Sequence, residues 1–566
     1  MKKILLIICG IIFTLKLSAQ TPSLSWAKSM GSVSSDISKA IVTDASGNIY
    51  TTGFFNGTAD FDPGVGTFTL TSAGNSDIFV SKINSSGNFV WAVQIGGTGA
   101  DEGYGISKDA NGNIYATGSF SGTVDFDPGA GTNNLTAFGS LDIFVLKLNI
   151  SGAFIWAKQI GGAGGDEGKS IIVDSIGNVH TTGYFSGTAD FDPSASISNL
   201  ISNGSFDVFV SKLNSSGNFI WAKNMGGANN ENGNAISLDA SNNVFTTGFF
   251  GGTGDFNPGA LSFNLTSAGA GDAFISKLDS FGNFVWAKQL GGTANDVANA
   301  ITIDAAGNVY SAGYFFIAGD FDPGVSTFSL TSNGVGDIYV SKLDPSGNFL
   351  WAKSMGGPKD DFAHAIAVDL SGNVYTTGFF ADTSDFDPGV STFNLVSVFP
   401  TNPSLIRDQA FVSKLEASGN FLWAGALGAI KGYGIYATST EIYTTGYFTS
   451  TTDFDPSTNI LNLTTAGSDD IYVHKMNQGI NVSVNENKIQ STITVFPNPS
   501  TGKFCISNTE ISDLMIITNL LGNELMRFIP ASDKEYIDMS EMANGIYLLI
   551  TINTNGQQLT KLLISK

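Results

Sequence analysis

Arginine is nearly missing from this 566-residue chain, standing only at Arg407 and Arg527. Lys and Arg total 27 against 49 Asp and Glu, a formal net charge of −22. Nucleic acid and anionic membrane surfaces need clustered basic side chains, so neither is expected as a partner. Cysteine is as scarce. Cys9 lies in an apolar stretch at the front and Cys505 is the other, so no internal disulfide is expected and packing must supply stability. His180, His364 and His474 are scattered, without the spacing of metal ligands. No serine sits in a nucleophile elbow. Few stretches carry helical periodicity. The apolar run at 4–15 is too short for a membrane span and is interrupted by Lys16.

Glycine (68) and phenylalanine (43) are abundant instead, which suits many short strands joined by tight turns with rings packed between layers. Residues 1–19 read as a signal peptide: Lys2 and Lys3, the apolar run, then Ser18 and Ala19 before Gln20. No transmembrane span is expected after its removal.

The dominant signal is a repeat. The seven tryptophans stand at Trp26, Trp91, Trp156, Trp221, Trp286, Trp351 and Trp423, five intervals of 65 residues and one of 72. Asp-Phe-Asp-Pro recurs in step, with Asp-Phe-Asn-Pro at 255–258. Fixed-period self-similarity means a repeat architecture. In the first full repeat, short apolar or aromatic runs alternate with tight turns at 44–48 and 84–88, giving four antiparallel strands with Trp91 on the fourth. Between the second and third strands lies a long excursion carrying Asp60 and Asp62. The fourth strand, apolar at successive positions, is expected to be buried on both faces.

Four-stranded units in series predict an all-β fold, a seven-bladed β-propeller. The repeat region enters on a Trp strand, 24–30, with no first, second or third strand before it, and closes on a third strand, 470–475, with no Trp strand after it. Pairing the two closes the ring and leaves no open sheet edge. A linear solenoid would leave both ends half-finished.

Gly-Gly-Thr-Gly-Ala-Asp-Glu, Asp-Ala-Asn-Gly-Asn-Ile-Tyr-Ala-Thr-Gly and Asp-Ile-Phe-Val-Leu-Lys-Leu-Asn resemble the β-propeller repeats termed SBBP repeats in bacterial exported proteins, over roughly residues 24–477. The resemblance implies fold and export, but no reaction, because that family has no general catalytic residues.

Strand order places the long excursion and the loop between blades on one face, the expected working face. The paired acids are Asp60 and Asp62, Asp125 and Asp127, Asp190 and Asp192, Asp320 and Asp322, Asp385 and Asp387, and Asp453 and Asp455. They are candidate calcium ligands, calcium being the one cofactor suggested; the alternative is a turn in which Asp bonds backbone amides. A second acidic series, Asp36, Asp101, Asp166, Glu231, Asp296 and Asp361, follows each Trp by ten residues, and Tyr433 breaks it in the seventh blade.

Specificity is expected where repeats differ. The residues opening the first strand of each blade are Lys39, Tyr104, Lys169, Asn234, Asn299, His364 and Tyr433, and they are the candidate ligand ring, with neutral variation as the alternative. The enlarged excursion 398–407, with Arg407, is a candidate contact loop. No catalytic constellation is found. Paired acids serve glycoside cleavage, but an active site needs one unlike pair rather than near-equivalent copies. The expected role is a monomeric binding module for a glycan or a protein, with a polysaccharide-cleaving enzyme as the alternative.

After a polar linker at 478–491, residues 492–566 carry Phe-Pro-Asn-Pro-Ser-Thr-Gly, short strands and a final Lys-Leu-Leu-Ile-Ser-Lys. A small β-sandwich is expected, with Cys505 in its core. This tail resembles the type A C-terminal sorting domain of the type IX secretion system of Bacteroidetes. The resemblance implies recognition by that machinery and delivery across the outer membrane, released or surface-attached. The expected domains are thus 1–19, 20–477, 478–491 and 492–566.

Overall fold

The structure, a computed structural model, describes residues 21–397, 408–478, 494–507, 514–519, 523–553 and 556–566. The signal segment 1–19, the excursion 398–407 with Arg407, and the linker apart from Gln478 lie outside the described residues. No helix occurs among the described residues, so none is long and apolar enough to cross a membrane. The chain divides into two compact units, Met1–Ile480 and Asn481–Lys566.

In the first unit every repeat is a four-stranded antiparallel sheet. The first sheet pairs Ile37–Thr43, Ile49–Asp60, Thr69–Ile83 and Phe89–Gly97 in chain order. The pattern recurs, and the seventh sheet, Lys431–Ala437, Glu441–Asp453 and Asn462–Asn477, takes its fourth strand from the front of the chain. Ser23–Met30 pairs there with Trp26 opposite Lys475 and Met30 opposite Ile471. The first strands pack on one another in sequence, and the seventh packs on the first. Seven sheets thus close a ring.

The apolar core is a chain of clusters, one at each seam. Tyr50, Ile78 and Val80 of the first sheet meet Phe120, Phe126 and Phe144 of the second. At the closing seam Tyr443, Ile471 and Val473 meet Ile41, Phe55 and Phe61. Phe61, from Asp-Phe-Asp-Pro, is fully buried and sets its edge against Phe55 at 5.3 Å. The tight turns follow the expected chemistry: Asp44 accepts the amides of Ser46 and Asn48, each at 2.9 Å.

One expectation is overturned. The second and third strands are buried on both faces, while the fourth, Trp-bearing strand is half open, with Val90, Ile155, Val285 and Leu350 exposed. It is the rim strand of each blade, so one of its faces meets solvent. Its indole reaches across the seam instead. Trp91 donates its Nε1–H to the carbonyl of Ile150 in the next blade at 3.2 Å, and the bond recurs up to Trp351 and Ala417. The excursion is a hairpin latched the other way: Asp125 and Val124 of the second blade pair with Gly96 and Gly97 of the first.

The second unit holds two antiparallel sheets. One pairs Thr494–Phe496, Lys503–Ser507 and Lys534–Asp538. The other orders Glu524–Phe528, Leu514–Thr518, Gly545–Asn553 and Gly556–Ile564. Phe504, Ile506, Met515, Ile517, Leu549 and Leu562 form a core shared by both, and Cys505 is buried.

Candidate functional site

Each blade's first strand carries a β-bulge against its second strand. The register slips between Ser38 and Ala40, between Gly103 and Gly105, and at the same place in all seven sheets. The skipped residues are Lys39, Tyr104, Lys169, Asn234, Asn299, His364 and Tyr433. A bulge re-aims the side chain it adds, and here it turns one side chain per blade toward its neighbour around the ring. A glycine faces each bulge. At Gly53 a Cβ would collide with the carbonyl oxygen of Ile37, and Gly118, Gly183, Gly248, Gly313, Gly378 and Gly446 sit in the same relation to their own first strands. The repeated glycine of Tyr-Thr-Thr-Gly was the sequence signal for this bulge.

The seven side chains are brought together in linked groups. Asn234 donates to the carbonyl of Ala298 at 3.0 Å, and Asn299 to that of Ala363 at 2.8 Å. His364 Nδ1 lies 3.0 Å from the Gly432 carbonyl, and its ring stacks on Tyr433 at 4.9 Å. Each of these carbonyls belongs to the residue just before the next blade's bulge. Lys39 places its ammonium 3.9 Å above the Tyr433 ring, and Lys169 does the same over Tyr104. The seventh blade joins the first through Tyr433 and Lys39.

A second tier, missed by the sequence reasoning, lies two residues earlier on the same strands. Glu102 accepts the Tyr104 hydroxyl at 2.7 Å, and Glu167 pairs with Lys169 at 2.5 Å. Lys431 pairs with Asp408 at 3.2 Å. Asp408 comes directly after residue 407 in the chain. The i, i+2 spacing from each ring residue was the available signal.

Burial pushes the Lys39 amine down to about 8, and Lys169 and Lys431 add to the effect while Glu102 opposes it. His364 is pushed down to about 4, chiefly by burial, and is neutral at physiological pH. Burial raises Tyr433 to about 12, with Asp408 and Asp469 contributing.

The paired acids bond the backbone of their own hairpins. Asp60 Oδ1 accepts the amides of Asp62 at 3.0 Å and Phe68 at 2.8 Å, and Asp62 Oδ1 accepts that of Gly64 at 2.8 Å. Asp125 with Asp127, Asp320 with Asp322, and Asp385 with Asp387 repeat the arrangement. Asp190 with Asp192, and Asp453 with Asp455, use a serine amide in place of the glycine. One oxygen of each acid is thus committed to holding its own hairpin. Among the described residues no three His, Cys, Asp or Glu side chains gather as a metal site would need.

The second acidic series is fully buried rather than offered to a ligand. Asp101 accepts the amides of Ser121 and Gly97 at 3.0 and 2.7 Å, tying the inter-blade loop to the second strand. Burial raises it to about 6. In the seventh blade this place belongs to Ile430, since Lys431 opposite Tyr447 matches Glu102 opposite Ser119, and Tyr433 belongs to the ring alone. His180 and His474 are core residues with no exposure.

Residues 494–566 match the family described as the secretion system C-terminal sorting domain. Residues 90–119, 155–188 and 285–314 match the family described as the beta-propeller repeat. A WD repeat-containing protein of Acanthamoeba polyphaga mimivirus is 25% identical over 485 residues, covering 70% of this chain and 34% of that protein. The regulatory protein FlaEY of Caulobacter vibrioides is 23% identical over 265 residues, covering 43% of this chain and 26% of its own length. The matches therefore span about a third or less of those relatives. Among solved structures, PorZ, an essential bacterial surface component of the type-IX secretion system of Porphyromonas gingivalis, is aligned over 96% of this chain and 100% of its own. The identity is 11% and the TM-score 0.15. The sorting domain marks the chain as one exported to the cell surface or beyond by the type IX machinery, with a propeller as its cargo.

Proposed function

We propose that this exported propeller is a binding module that takes a glycan or a protein at the mouth of its ring. The observation carrying the reading is the bulge repeated in every blade, which gathers seven side chains of four kinds, Lys, Tyr, Asn and His, on an otherwise uniform scaffold. Binding sites concentrate where a rigid frame presents variable side chains. What supports binding over cleavage of a polysaccharide is the state of the paired acids: they are alike from blade to blade and hold backbone amides, whereas cleavage needs an unlike pair facing substrate.

The export route proposed is inner-membrane passage by the segment 1–19, then outer-membrane passage directed by the tail, in a bacterium of Bacteroidetes type. A glycan array on the full chain, with product analysis, tests the functional reading. Selective binding with the glycans recovered intact is expected, and shortened oligosaccharides would replace the reading with an enzyme.

A further inference from the structure

We propose that Lys39 docks a carboxylate, and that the ligand of the ring is a glycan bearing uronic acid residues. This rests on the binding reading above and narrows it.

Three lysines reach the ring. Lys169 has Glu167 at 2.5 Å and Lys431 has Asp408 at 3.2 Å. Lys39 has no carboxylate within 4 Å among the described residues; its ammonium faces the rings of Tyr433 at 3.9 Å and Phe54 at 5.8 Å. Glu102 lies within its field but already accepts the Tyr104 hydroxyl. A half-buried ammonium without a counter-charge is costly, and an aromatic face returns only part of that cost. An incoming carboxylate supplies the missing partner.

The surroundings select the body of the ligand. The lysines lie over Phe54, Tyr104, Tyr184 and Tyr433, so a carboxylate drawn to Lys39 arrives among half-buried aromatic rings, surroundings that suit the C–H groups of a pyranose. An extended peptide would bind here by adding to a first-strand edge, which needs free backbone groups. At three successive blades the carbonyls of Ala298, Ala363 and Gly432 are already taken by Asn234, Asn299 and His364. A sugar needs no such edge.

The test is calorimetric titration of the full chain with oligogalacturonate, its methyl ester and polyglutamate. Binding of the acid form alone is expected. Lys39→Gln should weaken it roughly 10- to 100-fold, the range for a charge-assisted hydrogen bond. Lys39→Arg should retain most of it. Since Lys39 loses its proton near pH 8 in the free protein, affinity should fall between pH 7 and pH 9. Equal binding of acid and ester, unchanged in Lys39→Gln, would overturn the carboxylate inference and leave a glycan-binding module standing. Preference for polyglutamate would overturn the glycan class. Failure of all three probes, with the variants folded by thermal melting, would overturn the inference as a whole, and the glycan array would then decide the broader reading separately.

Discussion

Trp26 donates its indole N–H to the carbonyl of Ser85 at 3.2 Å, joining the first strand of the ring to a turn 59 residues later. Because Ser23–Met30 completes the seventh sheet while Ser85 belongs to the first, this bond crosses the closing seam. Lys475 bonds the same carbonyl from the seventh sheet at 3.3 Å. The equivalent bond from Trp423 has no turn to reach, since the seventh blade's fourth strand comes from the front of the chain. Gln478 stands there instead, accepting Lys414 at 2.7 Å and the Tyr375 hydroxyl at 2.8 Å.

Breaking the closure should therefore cost more than an ordinary rim substitution. Trp26→Ala removes a half-buried ring and a cross-seam bond, with an expected loss of about 2–3 kcal/mol. Denaturant unfolding measures it. A loss within about 0.5 kcal/mol, as for a plain surface site, would show that the seam holds without it.

The bulge can be tested at its glycine. Gly53→Ala places a Cβ against the carbonyl of Ile37, so the first strand must shift and carry Lys39 with it. Both stability and ring binding should fall, by roughly 1–3 kcal/mol in stability as for overpacked sites. A substitution neutral in thermal melting would mean that the strand gives way freely.

Stability should fall as pH rises. Burial pushes Asp101, Asp166, Asp296, Asp361 and Asp470 up to about 6, and Glu231 and Asp337 up to about 7. In the unfolded chain carboxyls titrate near 4. The folded state thus holds more protons between about pH 4 and pH 7, and each step upward through that window favours unfolding. The melting temperature should be higher at pH 5 than at pH 8, and Asp337→Asn should flatten the slope. The reverse order would refute the assignment.

Calcium should not raise the melting temperature, because Asp60, Asp62 and their repeats already commit oxygens to their own hairpins. A comparison between chelator and millimolar calcium decides it, and a rise of several degrees would make those pairs ligands. In contrast, Phe61→Ala should cost roughly 3–5 kcal/mol, as expected for a fully buried ring.

Removal of residues 494–566 should leave the propeller inside the outer membrane. Fractionation of cells making the shortened chain measures this, and undiminished surface display would show that the tail is dispensable for export.

The repeat period, the four strands per blade, the closing role of the Trp26 strand and the sorting tail were all legible in the sequence. Each follows from local patterning: tight-turn residues, β-branched and aromatic runs, and a count that closes only one way. The sequence also marked the seven varied positions of the ring, because variation stands out in a repeat. It did not reveal that they are bulge residues, nor that Glu102, Glu167 and Asp408 stand beside them. It misjudged which strand is buried on both faces, since composition alone does not distinguish a rim strand that reaches over a seam from an interior one. Whether Asp60 faces a ligand or its own backbone, and whether Asp101 meets solvent or disappears beneath a loop, depends on contacts between distant segments. Those contacts exist only once the blades are assembled.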